Sequence, residues 1–215
     1  MARNLRGYSE LEFLTAVERG DVVTQRSLSK RIGVAVGLIN ALIKRSMVKG
    51  YVKARQAPYK RYAYYLTPEG FAEKSRLVGE YLQSSLEFFR KARNQYAEIF
   101  QAAARNGTER VAIVGGGELA DIAVLAATSE GVPIVAIIDP RARETSDRFG
   151  VAVERSLADI EPVDFVVIAD EQSPQAIYEE LRKSFSDDRI MTPPLLHITP
   201  DRDKLIMAGA SGDKR

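Results

Sequence analysis

The chain changes sign at Asn106: up to there it carries 19 lysines and arginines against 9 aspartates and glutamates, and beyond it 12 against 20. A chain of 215 residues is long enough for two small domains with a core each, and opposite charge in the two halves favours that division over one large core. The expected organisation is a basic domain over residues 1–70, a connecting and dimerising segment over 71–106, an acidic domain over 107–203 and a flexible tail over 204–215. The overall charge of +2 conceals this division.

The absence of cysteine excludes disulfides, thiolate metal sites and cysteine nucleophiles. His197 is the single histidine; in the apolar stretch LLHIT it reads as a packed, hydrogen-bonded side chain rather than a catalytic base. No acids join it at metal-ligand spacing, and no nucleophile and base stand out, so the chain does not read as an enzyme. No apolar run approaches the roughly 20 residues that span a bilayer, and MARNLRGYSE lacks the apolar stretch of a secretory signal. A cytoplasmic protein without a membrane partner is the expectation.

In the basic half, Ser9 and Glu12 have capping-box spacing, and Leu11, Leu14 and Val17 recur helically up to Gly20, predicting a first helix that begins near Ser9. Thr24 can cap a second helix to about Ile32, Gly33 breaks it, and a third runs from Val34 to Gly50. Two short helices joined by a glycine-containing turn are a helix-turn-helix. On the third, Ala35, Leu38 and Leu42 are expected to face inward, and Val36, Gly37, Asn40 and Lys44 outward. The outward set offers close approach, an amide that pairs with adenine and a cation, which suits a major groove of double-stranded DNA; Arg26 on the preceding helix joins it. The plainer alternative is a solvated face on a structural helix.

The segment GYVKARQAPYKRYAYYL alternates as two strands around a turn at Pro58, with Lys53, Arg55, Lys60 and Arg61 near its tip. These cations are candidates for phosphate or minor-groove contacts, whereas Tyr51, Tyr62, Tyr64 and Tyr65 read as sheet packing. From Thr24 to Arg93, TQRSLSKRIGV, the third helix, the hairpin and YAYYLTPEGFAEKSRL resemble the MarR-type winged-helix regulators, in particular a bacterial branch associated with exopolysaccharide gene clusters. LTPEG is the most characteristic piece. The resemblance implies a homodimer on an inverted-repeat operator, with Val36, Gly37, Asn40 and Lys44 at the recognition positions. It does not extend to the acidic half.

From Phe71 to Arg105 no proline interrupts the chain, and a helix of that length extends about 50 Å. Val78, Tyr81, Ser85, Phe88, Ala92, Gln95, Ile99 and Ala102 follow 3/4 spacing as a dimer seam. The alternative is that this stripe packs on the chain's own second domain.

The acidic half opens on VAIVGGGELADIAVLAATSEG, read as strand, glycine turn and helix, with IVAIID as the next strand. Gly115-x-Gly117-x-x-Ala120 is an allowed form of the dinucleotide fingerprint, with Asp139 about 20 residues beyond the turn, where a ribose-binding acid belongs. Gly115, Gly116 and Gly117, with Glu118 and Leu119 opening the helix, would bring main-chain N–H groups to a phosphate. Glu118 opposes an anion there, and Arg141 or Arg143 would have to offset it. FVVIAD gives a buried strand that places Asp170 and Glu171 at the sheet's carboxyl edge. A helix follows from Pro174 through Phe185, and PLLHIT is the expected last strand.

VAIVGGGELA and IIDP resemble the small Rossmann-like domains of CoA-binding type, of the redox repressor Rex, and of the nucleotide-sugar-binding ends of some sugar acyltransferases. The resemblance implies a small-molecule effector of nucleotide type: NAD(H), NADP(H), CoA or a nucleotide-sugar. The fold expected is thus an α+β winged helix-turn-helix, a long linker helix and an α/β Rossmann-like domain with a mostly parallel sheet. Two other readings stay open: an enzyme or accessory of nucleotide-sugar metabolism that uses its basic half for protein contacts, and a DNA-binding regulator whose rear domain only docks.

Overall fold

The computed structural model describes residues 2–19, 25–57, 61–107, 110–143 and 146–200. Thr24, Pro58, Lys60 and the 204–215 tail lie outside the described residues. Among those described, the fold is α+β: six α-helices, a two-stranded antiparallel sheet and a mostly parallel six-stranded sheet. The chain divides into two compact units, 1–87 and 88–215, and the division falls inside one long helix. Among the described residues no helix is long and apolar enough to cross a membrane.

The first unit holds α1 (Ala2–Glu18), α2 (Gln25–Ile32), α3 (Val36–Val48), the hairpin β1 (Val52–Ala57) and β2 (Arg61–Leu66), and the start of α4 (Pro68–Arg105). Gly33 and Gly50 both have φ in the left-handed region, +72° and +76°, which ends α2 and α3 without a β-carbon penalty. Phe13, Leu14, Leu28, Ile39, Leu42, Ile43 and Val52 form the core. LTPEG has a definite geometry. Thr67 accepts from the Gly70 N–H at 3.0 Å as the cap of α4 and donates to the Gly50 carbonyl at 2.6 Å, and Pro68 opens the helix where no N–H is needed. A β-carbon on Gly70 would lie 2.1 Å from the Tyr51 carbonyl oxygen, so glycine lets α4 start against the base of the hairpin.

Two expectations fail in this unit. Helix α1 begins at Ala2, so Ser9 is no cap; it and Glu10 are buried mid-helix. Apolar periodicity starts at Leu11 because burial starts there, whereas the helix itself continues upstream. On α3, Ala35 precedes the helix and is exposed, and Leu38 is 43% exposed. The buried stripe is Ile39, Leu42, Ile43 and Ser46, a complete i, i+3, i+4, i+7 set that contains a serine and is therefore easily passed over in sequence.

The second unit is built on β3 (Val111–Val114), β4 (Ile134–Ile138), β5 (Ser146–Arg148), β6 (Val151–Glu154), β7 (Phe165–Ile168) and β8 (Ile190–Met191), in the order β5-β6-β4-β3-β7-β8. All pairs are parallel except β5 with β6. The rear of α4 and α5 (Glu118–Ser129) share one core with Val111, Ile113, Ile137 and Val167. Tyr178 and Leu181 of α6 (Pro174–Leu181) share another with Ala112, Val114, Val166 and Ile168. Alternation along each strand thus gives three layers. Because β4 and β7 flank β3 on opposite sides, the carboxyl ends of the three strands open a crevice where the strand order reverses, the usual ligand position in such sheets.

The expected strand PLLHIT is not formed. Pro193 and Pro194 supply no N–H to a ladder; residues 194–196 form a single 3-10 turn, and His197 follows in left-handed conformation and exposed, so it is not a packed histidine. Helix α6 ends at Leu181, short of Phe185. The seam read along α4 is rotated by about one residue in this unit: Ala92, Tyr96, Phe100 and Ala103 are the buried line, facing the chain's own sheet. Gln95 instead accepts from the Leu195 N–H at 2.8 Å.

Candidate functional site

The first unit exposes the expected residues on three elements. Val36, Gly37 and Lys44 are exposed and Asn40 half-buried on α3, on the side away from the Ile39, Leu42, Ile43 stripe. Arg26 on α2 is exposed, and Lys53 and Arg55 of β1 are exposed on one side of the hairpin, as residues i and i+2 of a strand must be. Arg61 pairs with Ala57 at the open end of the hairpin; its side chain and all of Lys60 lie outside the described residues.

Charge in this unit sorts into engaged and available cations. Arg45 and Lys49 each lie 3.9 Å from the Glu10 carboxylate, which is only 6% exposed. A buried carboxylate needs such partners, so these two cations hold α3 to α1. Arg26, Lys44 and Arg55 have no carboxylate within ion-pair distance among the described residues, and sequence alone did not separate the two groups.

In the second unit, the turn between β3 and α5 is fixed by backbone sterics. Gly115 has φ of +142°, and a β-carbon there would lie 2.2 Å from the Ala169 carbonyl oxygen. Its N–H donates to the Ile138 carbonyl at 2.9 Å, so this glycine serves the sheet. Gly116 and Gly117 open toward the crevice, each against a carboxylate: a β-carbon on Gly116 would meet Asp139, and one on Gly117 would meet Glu171. Leu119 is in the core and offers a ligand only its backbone, whereas Glu118 is exposed.

Asp139 accepts from the Arg141 N–H and Nε at 3.0 and 3.3 Å through Oδ1, which leaves Oδ2 turned toward Gly116. Asp170, with a side chain 2% exposed, accepts from the N–H groups of Gln172 and Ser173 and from Arg141 Nη2. Its oxygens are occupied in shaping the loop that follows β7. Tyr96 of α4 donates to the Ile168 carbonyl at 3.0 Å, at the end of that same strand. Burial, with the Glu171 charge added, pushes its phenol well above the ordinary range, so it stays a donor.

Two adjoining depressions occupy the strand ends. The wider, about 440 Å³, is lined by Gly116, Asp139, Ala142, Arg143, Ser146, Arg148 and Val153. The narrower, about 290 Å³, is lined by Gly116, Gly117, Glu118, Asp121, Asp139, Arg141, Arg148, Glu171 and Gln172. Together they have the size of a small-molecule site. Of the residues expected here, the structure brings Gly116, Gly117, Glu118, Asp139 and Arg141 to the depressions and keeps Gly115, the Leu119 side chain and Asp170 behind them.

Arg148, shared by both depressions, was missed. It donates to the Gly116 carbonyl at 2.6 Å and pairs with Asp121 at 3.1 Å. It comes from the tight β5–β6 hairpin, whose turn residues Phe149 and Gly150 both have positive φ. Two such residues make a hairpin turn of the type usually signalled by Asn-Gly or Asp-Gly, and Phe-Gly gives little warning of it. Among the described residues no group of three or more histidine or acidic side chains is arranged to hold a metal.

No protein-family model matches the chain, and no curated protein matches it.

Proposed function

We propose that the chain is a sequence-specific DNA-binding transcriptional regulator, cytoplasmic, homodimeric and not an enzyme. In this reading α2, α3 and the β1–β2 hairpin work as a winged helix-turn-helix on double-stranded DNA, and the Rossmann-like second unit senses a nucleotide-type metabolite. The observation that carries it is the set of outward polar groups in the first unit: Lys44, Arg26 and Arg55 exposed and free of carboxylates among the described residues, with Asn40 half-buried on α3 and its Oδ1 accepting from Gln25 Nε2 at a long 3.5 Å. An amide on a groove-sized helix reads base edges and flanking cations hold phosphates. A structural helix has no need of that arrangement.

The glycine turn, the Asp139 carboxylate and the adjoining depressions support effector binding. Effector and DNA are coupled if the effector prefers one of two states of the protein, and couplings of about 1–3 kcal/mol are typical. Helix α4 is the element common to both units, and Tyr96 hydrogen-bonds it to the strand that leads to the effector loop.

The test is selection of bound duplexes from a random pool, followed by gel shifts across a salt series. Asn40→Ala is expected to relax preference at one base position, at a cost of about 1–3 kcal/mol. Arg55→Ala is expected to weaken binding to all sequences alike and to flatten the salt dependence. Equal losses on selected and random DNA for Asn40→Ala, or no enriched sequence at all, overturn the reading.

A further inference from the structure

The two depressions at the strand ends differ in chemistry. The wider has apolar walls, Ala142 and Val153, beside Ser146, with Asp139 and the cations Arg143 and Arg148 also lining it. The narrower is rimmed by the carboxylates of Glu118, Asp121, Asp139 and Glu171. Its two arginines are already engaged, Arg141 with Asp139 and Asp170, and Arg148 with Asp121 and the Gly116 carbonyl. The Glu171 carboxylate adds negative charge beside the start of α5, where an anion would otherwise be attracted: its oxygens lie 2.1 and 2.5 Å from where a β-carbon on Gly117 would be.

We infer that the effector is a nucleoside whose group next to the sugar is positively charged or neutral, rather than a nucleoside diphosphate. The base lies against Ala142 and Val153, the ribose hydroxyls donate to Asp139 Oδ2, and the substituent at the 5′ carbon enters the carboxylate rim by the glycine turn. A diphosphate there would face four carboxylates and would have to draw Arg148 away from Asp121 and Gly116, leaving both without that donor. A cation is met by charges already in place. This inference rests on the effector reading of the second unit and revises its ligand: the base and ribose are kept, and the phosphate at the turn is replaced by a cationic or neutral group.

The experiment is titration calorimetry of the full-length protein with two matched series: adenosine, 5′-amino-5′-deoxyadenosine and ADP, and the corresponding uridine compounds. NADH and acetyl-CoA are added as larger probes. In the base series that binds, the amino compound is expected to be tightest and the diphosphate weakest, about tenfold or more apart. The double variant E118Q/E171Q, altered at two exposed side chains and checked for folding by circular dichroism, is expected to narrow or reverse that order. A diphosphate that binds tightest to the unaltered protein overturns the inference and leaves the effector reading standing. So does an order that E118Q/E171Q leaves unchanged. Binding by none of the eight probes removes the effector reading, and the inference falls with it.

Discussion

The two halves of α4 carry one apolar face at one rotational position and meet opposite fates. Ala92, Tyr96 and Phe100 in the rear half are fully buried on the second unit's sheet. Val78, Leu82 and Phe89, on the same line at 3/4 spacing farther forward, stay exposed, Leu82 at 54%. Leu86 and Phe88 broaden the bare stretch. Contiguous exposed apolar surface of this kind marks an interaction site in a folded protein. Periodicity therefore announces that a helix face requires cover and says nothing of what covers it. In the homodimer proposed above, a second copy covers the forward half.

Three substitutions test the difference between the covered and the bare half. Phe100→Ala, in the covered half, is expected to cost about 3–5 kcal/mol by leaving a cavity against the sheet, measured as a fall in the denaturant midpoint; a cost under about 1 kcal/mol would mean that the rear half is not packed as described. Tyr96→Phe keeps the ring and removes only the bond to the Ile168 carbonyl. It should cost about 1 kcal/mol and, on the regulator reading, weaken the effect of bound effector on DNA affinity, which paired gel shifts with and without effector would register. Leu82→Lys, in the bare half, should change the stability of a monomer by no more than about 0.5 kcal/mol while shifting sedimentation toward the monomer. A large, concentration-independent loss of stability from Leu82→Lys would show instead that the chain covers this face itself.

Legibility in sequence followed the range of the interactions involved. Gly33 and Gly50 stop helices through their own backbone angles, so those boundaries were readable; the start of α4 was not, since it begins at Pro68 under the Thr67 cap rather than at Phe71. The glycine turn was readable too, since strand, turn, helix, strand and terminal acid stand in order from Val111 to Asp139. What failed had long-range causes. The start of α1 was hidden because only its rear part has an apolar rhythm. The inward face of α3 was read correctly at Leu42 and wrongly at Ala35 and Leu38, since the buried stripe passes through Ile39, Ile43 and Ser46, and the cations Arg45 and Lys49 are set apart from their neighbours only by Glu10, more than 30 residues earlier.

The same division holds at the candidate ligand site. The amino-acid order by itself determined the Gly115 to Gly117 bend and the position of Asp139 at a strand end, because a positive φ at Gly115 and a run of apolar strand residues are local facts. Only the tertiary structure decided that Arg148 reaches the Gly116 carbonyl, that Glu171 stands against Gly117, and that Arg141 closes on Asp170. Each depends on which strands pair at the sheet and in what order, and sequence spacing does not encode those distances.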